Sequence, residues 1–310
     1  MWICDKWEDY ELIDADGGER LERWGDYILI RPDPQIIWKG DRHDPLWRRA
    51  DGVYKRRGGG GSWTVAKMPE AWNIGYGNYK FQIKPMGFKH TGIFPEQAAN
   101  WDWASEIIRR SVEKEPERYE NGRPAVLNLF AYTGGATVAC AEAGAALCHV
   151  DASKGMVAAA KENMRLTGLE AAPCRYIVDD CKKFVEREIR RGRKYDAVIM
   201  DPPSYGRGPN GEVWKLEECA AELIELVAQV LCDEPLFFLI NSYTTGLSPA
   251  TMGYMLMRAL GTRADTGKLE TGETGIPVKN SGLVLPSGAS ARWAAKRAES
   301  DNSHKNTEKQ

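Results

Sequence analysis

The sequence predicts an α/β protein built on a mostly parallel sheet, with a small β-rich region before it. From about residue 97 onward, short apolar runs alternate with segments of helical periodicity, as in repeated βαβ units. The run at 236–240 is continuously apolar, which is typical of a strand buried on both faces. We therefore expect a β-rich module at 1–85, an α/β domain at 86–290 and a polar tail at 291–310.

The first region consists of short strand-like runs, with many aromatic residues and frequent turn residues. Residues 27–30 form a predicted strand that ends at Pro32 and Pro34. Asp16-Gly17-Gly18 predicts a hairpin turn, and the glycines at 58–61 predict a flexible tip.

The α/β region follows as five strands and five helices in alternation. The helices are predicted at 97–114, 136–143, 155–166, 182–191 and 216–231, and the strands at 126–130, 147–150, 176–178, 197–200 and 236–240. This alternation indicates a parallel sheet with helical crossovers.

Composition excludes several classes of protein. The chain has 310 residues, of which 43% are hydrophobic and 28% charged, so it is neither disordered nor fibrous. It has no run of about 18 apolar residues and no signal-like N-terminus, which predicts a cytoplasmic protein without a membrane segment. Its seven cysteines include no C-x-x-C pair, so neither a disulfide framework nor a metal site is expected. The net charge of -2 leaves the partner open.

A cofactor site is predicted where the first strand of the α/β region ends. That strand leads into Tyr132-Thr133-Gly134-Gly135, which precedes a helix at the edge where doubly wound sheets bind nucleotides. The glycine spacing differs from G-x-G-x-x-G, which favours a cofactor without a pyrophosphate. A glycine-rich turn without any ligand is the alternative.

Carboxylates follow the next two strands. Asp151 is placed to accept hydrogen bonds from ribose hydroxyls, and one of Asp179 and Asp180 is placed to reach an adenine amino group. Each aspartate taken alone is better explained as a helix N-cap. Their occurrence at successive strand ends favours the cofactor.

The fourth strand ends in Asp201-Pro202-Pro203-Ser204-Tyr205. Two prolines hold the backbone extended and leave its carbonyls free, beside an acid and an aromatic ring. This combination suits a flat base that stacks and hydrogen-bonds through its edge. An ordinary surface loop is the alternative.

These motifs, at 127–135, 150–154, 179–180 and 201–205, resemble those of class I S-adenosyl-L-methionine-dependent methyltransferases. Within that class the chain is most similar to the large-subunit ribosomal RNA methyltransferases that modify cytosine C5 or guanine N7. The resemblance implies a Rossmann-like, mostly parallel, seven-stranded sheet and S-adenosyl-L-methionine as cofactor. It also implies that the segment 94–97 closes over the methionine end of the cofactor.

Carried over to this chain, the resemblance implies a set of cofactor contacts around the methionine, ribose and adenine groups. The implied contacts are Phe94, Pro95, Gln97, Asn128, Phe130, Tyr132, Thr133, Gly134 and Gly135 at the methionine end, Asp151, Ala152 and Ser153 at the ribose, Asp180 and Cys181 at the adenine, and Asp201 near the methyl group.

The acceptor atom is expected to be a nitrogen. Methylation at C5 of a pyrimidine needs a thiolate that adds to C6, and the segment after the fifth strand, Asn241-Ser242-Tyr243, has no cysteine. A nitrogen acceptor needs only positioning and a proton acceptor. We expect Asp201, with Pro202, Pro203 and Tyr205, to orient the acceptor and Asn241 to support it.

RNA is the favoured acceptor because of the resemblance, and one local patch agrees. Residues 39–57 carry seven basic and three acidic side chains, a local charge of +4, interleaved with Trp38, Trp47 and Tyr54. The alternative for this run is a solvated surface whose aromatic rings form a small core. A methyltransferase for a small molecule or protein, and a non-catalytic protein that binds adenosylmethionine or RNA, are the other hypotheses.

Overall fold

The computed structural model describes residues 1–57, 60–65, 67–87, 89–207, 213–244 and 246–298. Strands and helices are numbered in chain order. The large sheet consists of β1 (Trp2–Ile3), β9 (Ala125–Leu129), β10 (Ala146–Asp151), β11 (Cys174–Val178), β12 (Ala197–Met200), β15 (Phe237–Ser242), β16 (Gly267–Pro277) and β17 (Val284–Ala295).

The strand order in this sheet is β1-β16-β17-β15-β12-β9-β10-β11. The run from β15 to β11 is parallel, whereas β17 lies antiparallel to both of its neighbours. Seven strands form the expected mostly parallel sheet, and β1 adds an eighth by pairing with β16. The chain order reverses between β9 and β12, and such a switch point leaves a crevice at the carboxyl ends of the strands.

Six helices pack on the sheet in two groups. They are α1 (Ala98–Lys114), α2 (Gly135–Glu142), α3 (Lys154–Leu166), α4 (Cys181–Arg190), α5 (Leu216–Ala228) and α6 (Pro249–Leu260) in the part of the chain that the structure describes. Helices α1 to α3 contact one another, and so do α4 to α6. All residues of β12 and β15 are buried, so both faces of the central sheet are covered.

Short 3₁₀ helices supplement these elements. They span Pro45–Arg48, Pro95–Gln97, Pro116–Arg118, Glu120–Gly122, Gly261–Thr266 and Lys296–Ala298.

The N-terminal region is β-rich, as predicted. It consists of a five-stranded sheet of β2 (Tyr10–Asp16), β3 (Glu19–Trp24), β4 (Tyr27–Pro32), β5 (Gly52–Arg57) and β6 (Gly60–Val65), and a hairpin of β7 (Trp72–Tyr76) and β8 (Tyr79–Ile83). The predicted turn between β2 and β3 has φ values of 57° at Gly17 and 83° at Gly18, which glycine adopts readily. Of the predicted glycine tip, residues 58 and 59 lie outside the described residues.

The N-terminal region and the α/β domain share a continuous hydrophobic core. The rings of Phe81 in β8 and Trp101 in α1 lie 5.4 Å apart, and the amide of Gln82 donates to Asn163 Oδ1 in α3 at 2.9 Å. The N-terminal strands are therefore fixed against the domain that carries the cofactor motifs. The exact division into domains stays a proposal.

The prediction of a polar tail from residue 291 was wrong for residues 291–298. Strand β17 continues to Ala295 in the middle of the sheet, and a 3₁₀ turn follows it. Arg292 made this stretch look polar, but its guanidinium lies 3.7 Å from the centre of the Trp2 ring and is buried with the strand. Residues 299–310 lie outside the described residues.

Candidate active site

The loop from β9 to α2 holds two residues in the left-handed region. Phe130 has a φ of 53° and Tyr132 a φ of 49°, and such a conformation costs a side-chain-bearing residue about 1–3 kcal/mol. Contacts on both sides hold the loop: Thr133 Oγ1 donates to Gly92 O, and Asn163 Nδ2 donates to Thr133 O at 2.8 Å. Backbone strain of this kind is concentrated at functional sites.

The glycine pair has a packing role. A Cβ at Gly134 would lie 2.8 Å from Cβ of Ala160, and one at Gly135 would lie 2.4 Å from the Trp101 ring. Both glycines therefore allow α2 to approach its neighbours. Neither lines the cavity described below, so their predicted contact with the cofactor stays a prediction.

Asp151 is held at the end of β10 by two backbone amides. Tyr132 N donates to its Oδ2 at 2.9 Å, and Ser153 N donates to its Oδ1 at 2.8 Å. Each carboxylate oxygen keeps an acceptor site, since a carboxylate offers about four. Asp151 and Ala152 line the cavity. This arrangement fits a ribose, whose two hydroxyls need two fixed acceptors.

Other residues predicted to contact adenine or methionine lie near the carboxyl ends of the parallel strands, but they do not line the cavity. Asp180 caps α4 by accepting from Lys183 N at 2.9 Å, as the N-cap alternative stated. Cys181 is buried, and its sulfur accepts from Phe130 N at 3.2 Å. Asn128 donates to Thr137 Oγ1 at 2.9 Å in the interior. Their contacts with the cofactor stay predictions.

A cavity of about 570 Å³ opens at the carboxyl ends of the parallel strands. One part of its wall comes from the β9–α2 loop and the end of β10, and another from Asp201, Pro202, Pro203 and Ser204 after β12. A third part, which the sequence did not predict, comes from the N-terminal region and includes Arg20, Arg31, Pro32, Asp33, Pro34 and Gln35. The cavity thus joins the predicted cofactor edge to the predicted acceptor loop.

Aromatic rings form one side of this cavity. The Phe94 ring lies 5.2 Å from Tyr132, 5.7 Å from Tyr243 and 5.2 Å from His90. Burial lowers the pKa of His90 to about 4, so this ring is neutral at pH 7. These flat apolar surfaces suit the planar groups of an adenosyl cofactor or a base.

Asp201 lies in the cavity wall and accepts a hydrogen bond from Asn241 Nδ2 at 2.9 Å. Burial raises the pKa of its carboxyl to about 7, against the effect of that hydrogen bond. Asp201 therefore exchanges its proton near neutral pH, as a general base does. Tyr205 is 53% exposed in the hairpin of β13 (Tyr205–Arg207) and β14 (Val213–Lys215), and it does not line the cavity.

A buried hydrogen-bond network reaches Asp201 from Arg292. Arg292 Nε donates to Asn100 Oδ1 at 2.8 Å, and Asn100 Nδ2 donates to Ser290 Oγ at 3.2 Å. Ser290 Oγ then donates to Asn241 Oδ1 at 2.8 Å. Arginine can only donate hydrogen bonds, so the donor and acceptor roles along this hydrogen-bond network are fixed. As a result, the side-chain amide N–H of Asn241 is presented to the Asp201 carboxylate.

A branch of the same network holds Tyr243. Asn100 Nδ2 also donates to Gln97 Oε1 at 2.7 Å, and Gln97 Nε2 donates to the Tyr243 hydroxyl at 2.8 Å. Gln97 thus supports a cavity residue rather than lining the cavity itself. Pro95 also lies outside the lining, where its carbonyl accepts from Trp7 Nε1 at 3.0 Å.

The wall from the N-terminal region is built on buried ion pairs. Arg20 Nε lies 2.5 Å from Asp33 Oδ2, and Arg31 Nε lies 2.6 Å from Glu22 Oε2. Arg31 Nη2 also donates to Glu22 Oε1 at 2.7 Å, which makes the pair bidentate. The partners in these ion pairs are not neighbours in the sequence, so no local sequence pattern indicated them. The sequence analysis therefore did not predict this wall.

The basic run at 39–57 does not form one surface for stacked bases. Arg42 is paired with Asp16 at 3.2 Å and Glu19 at 2.8 Å, and it lies over the Trp47 ring at 4.2 Å. Tyr54 is buried, and Trp38 is 47% exposed. Trp47 packs on a small core of the N-terminal sheet, as the alternative reading of this run stated.

The sheet order, the switch-point crevice and the cavity between Asp151 and Asp201 define a nucleotide-cofactor enzyme of the class I methyltransferase type. The profile of the S-adenosylmethionine-dependent methyltransferase family matches residues 51–229. A crystal structure of the SAM-dependent methyltransferase from Agrobacterium tumefaciens is 34% identical, covers 93% of this chain and 91% of that chain, and superposes with a TM-score of 0.83. The chain belongs to the S-adenosylmethionine-dependent methyltransferase family, and its cofactor is S-adenosylmethionine.

Among curated relatives, the ribosomal RNA large subunit methyltransferase K/L of Shewanella frigidimarina is 30% identical over 70% of this chain and 32% of that protein. The ribosomal RNA large subunit methyltransferase I of Klebsiella pneumoniae is 25% identical over 66% of this chain and 53% of that protein. The chain therefore spans about a third to a half of the length of these relatives. A methyltransferase crystallised with SAH, 19% identical with a TM-score of 0.68, shares the fold.

The described residues lack two features, a membrane-spanning helix and a metal-binding cluster. No helix there is long and apolar enough to cross a bilayer. No group of three or more histidine, cysteine, aspartate or glutamate side chains there is arranged to hold a metal ion.

Proposed function

We propose that this methyltransferase acts on a base nitrogen of RNA, with large-subunit ribosomal RNA as the acceptor. The observation that carries the proposal is the position of Asp201, a carboxyl with a pKa of about 7, beside Pro202 and Pro203 in the same cavity as Asp151. Curated relatives with the ribosomal RNA names given above support the choice of RNA. The expected cytoplasmic location belongs to the same proposal.

The residues of the cavity fit the cofactor. Asp151 offers two fixed acceptors for the ribose hydroxyls, and Phe130 and Tyr132 offer apolar surface beside it. When bound, S-adenosylmethionine supplies a methyl group activated by a sulfonium.

The chain's own groups orient the acceptor and take its proton. Pro202 and Pro203 give a flat, rigid surface against which a base packs, and Asp201 accepts a proton from the nitrogen that becomes methylated. Asn241 keeps the Asp201 carboxylate oriented through its 2.9 Å hydrogen bond.

The chemistry available in the cavity also favours nitrogen over C5. All seven cysteines belong to the described residues, and none lines the cavity. The thiolate that C5 methylation requires is therefore not offered there.

The test is methyl transfer from radiolabelled S-adenosylmethionine to large-subunit ribosomal RNA transcribed in vitro, followed by digestion to nucleosides. We expect an N-methylated nucleoside, and we expect Asp201→Asn to lower kcat by about 10²–10⁴-fold, the usual contribution of a general base. Asp233→Asn, an exposed aspartate at the opposite edge of the sheet, is the matched control. Transfer to a protein or metabolite extract but to no RNA would replace the proposed acceptor.

A further inference from the structure

Lys89 is a cation of the cavity wall that is not neutralised by a carboxylate. Its neighbours in that wall are paired: Arg20 with Asp33, and Arg31 with the fully buried Glu22. Lys89 Nζ instead donates to Pro32 O at 3.3 Å, and in the described part of the chain it forms no ion pair. Lys89 thus offers the cavity an ammonium group that forms no ion pair among the described residues, in a lining that also includes the buried carboxyl of Glu96.

Lys89 lies among both cationic and anionic groups. Burial lowers the pKa of Lys89, Asp33 opposes this, and Arg31, Arg20 and Arg56 lower it further. An anion placed beside Lys89 would relieve this repulsion between cations.

Hydrogen bonds hold the described residues on either side of Lys89. Trp63 Nε1 donates to Met86 O at 2.9 Å, and Met86 N donates to His90 O at 3.2 Å. The Tyr132 hydroxyl lies 3.6 Å from Met86 Sδ. Met86 thus contacts the N-terminal sheet on one side and the cofactor loop on the other, and Lys89 Nζ is itself held by its hydrogen bond to Pro32 O.

We propose that Lys89 binds a phosphate of the acceptor nucleotide, which makes the N-terminal region a part of the acceptor site. This inference rests on the proposed function. A nucleotide carries its base and its phosphate on different sides of the ribose, so one cavity must offer two kinds of contact. The Asp201 and Pro202-Pro203 wall suits the base, and Lys89 suits the phosphodiester as a compact point charge.

The experiment compares Lys89→Gln with Lys84→Gln in steady-state methylation of the in vitro transcribed ribosomal RNA. Lys84 belongs to the same segment but pairs with Glu70 at 2.7 Å in solvent, outside the cavity lining. For Lys89→Gln we expect the KM for RNA to rise roughly tenfold, the loss expected for one charged hydrogen bond. We expect kcat and the KM for S-adenosylmethionine to stay unchanged, and Lys84→Gln to match the wild type.

A salt series gives an independent readout. The slope of log(kcat/KM) for RNA against log salt concentration should become shallower by about 0.7–0.9 in Lys89→Gln, because one phosphate contact is lost. Lys89→Arg keeps the charge and should retain the wild-type slope. Equal melting temperatures of the three variants exclude a folding defect as the cause.

Two results would overturn the inference while the proposed function stands. One is RNA methylation with an unchanged KM for RNA and an unchanged salt slope in Lys89→Gln. The other is a higher KM for S-adenosylmethionine alone, which would assign Lys89 to the cofactor's carboxylate. If the wild-type protein methylates no RNA, the proposed function fails and this inference fails with it.

Discussion

Replacing Asn241 by leucine should shift the pH dependence of methyl transfer to higher pH. Asn241 is buried, and its amide donates to Asp201 Oδ1 at 2.9 Å, where it stabilises the ionised carboxylate. Leucine has a similar size and no donor. The general base should therefore keep its proton up to a higher pH in the variant.

The size of the shift follows from the energy of that hydrogen bond. A hydrogen bond to a charged group contributes about 1.5–3 kcal/mol, and a pKa difference of one corresponds to about 1.4 kcal/mol. The pKa of Asp201 is about 7 in the wild type. The variant should therefore lose activity on the acid side with a midpoint at about pH 8 to 9.

The assay is kcat/KM for the RNA between pH 5.5 and 9.5, which reports the ionisation of the free enzyme. We expect the variant to be strongly impaired at pH 7 and to recover towards wild-type rates at pH 9. Ser290→Ala, which removes the hydroxyl that orients Asn241, should shift the midpoint in the same direction by a smaller amount. A uniform loss of activity at every pH, with the midpoint still near 7, would refute the role given to this hydrogen bond.

Three other substitutions test the wall and the packing. Asp201→Asn should raise the melting temperature while it lowers kcat by about 10²–10⁴-fold. The folded pKa of Asp201 exceeds the unfolded value, so burial of this carboxyl costs increasing stability as pH rises from about 4 to 7. A gain in melting temperature that is no larger at pH 8 than at pH 5 would contradict the assignment. Arg31→Met leaves the buried Glu22 carboxylate without its ion-pair partner and should lower the free energy of unfolding in urea by about 3–5 kcal/mol. A decrease below about 1 kcal/mol would mean that the pair is solvated. Gly135→Ala places a Cβ 2.4 Å from a tryptophan ring carbon and should destabilise the protein by about 1–3 kcal/mol. Gly155→Ala, which has free space in α3, is the control and should be neutral or slightly stabilising in the same melting experiment.

The ion pairs of the N-terminal wall also have a defined pH response. The Arg31 guanidinium outweighs burial and holds the pKa of Glu22 below its usual value. A carboxyl with a lowered pKa stabilises the fold above its unfolded pKa, and that stability is lost as pH falls through the folded pKa. The acceptor side of the cavity should therefore loosen at acid pH before the parallel sheet does.

The sequence by itself determined the parallel sheet and the position of its motifs. Strand β12 was predicted with its observed bounds, and β9, β10, β11 and β15 to within two residues at each end. Strands β9, β10, β12 and β15 are largely buried and apolar over most of their length, so local periodicity predicts them directly, whereas the edge strand β11 is only partly buried. Because parallel strands end at a common edge, the order of Gly134, Asp151, Asp180 and Asp201 already implied one crevice.

Only the tertiary structure decided which of those residues face the cavity. Gly134 and Gly135 meet other helices, Asp180 caps α4, and Tyr205 lies in an exposed hairpin. Strand position fixes the edge at which a residue lies, but the side to which its side chain points depends on the turn that follows. The φ values of Phe130 and Tyr132 show this dependence, since nothing in their residue types favours a left-handed backbone.

The cavity wall opposite the cofactor edge depends on tertiary structure most of all. Arg20 lies in β3 and Asp33 directly follows β4 in the N-terminal region, and Ser290 and Arg292 come from a strand that the sequence analysis assigned partly to a tail. Their contacts join residues as many as 267 positions apart, as Arg20 and Ser287 do. Local sequence patterns reveal contacts within one turn or one strand, whereas buried charges pair with residues that are distant in the sequence. The sequence therefore predicted the cofactor edge, and only the fold revealed the opposite wall.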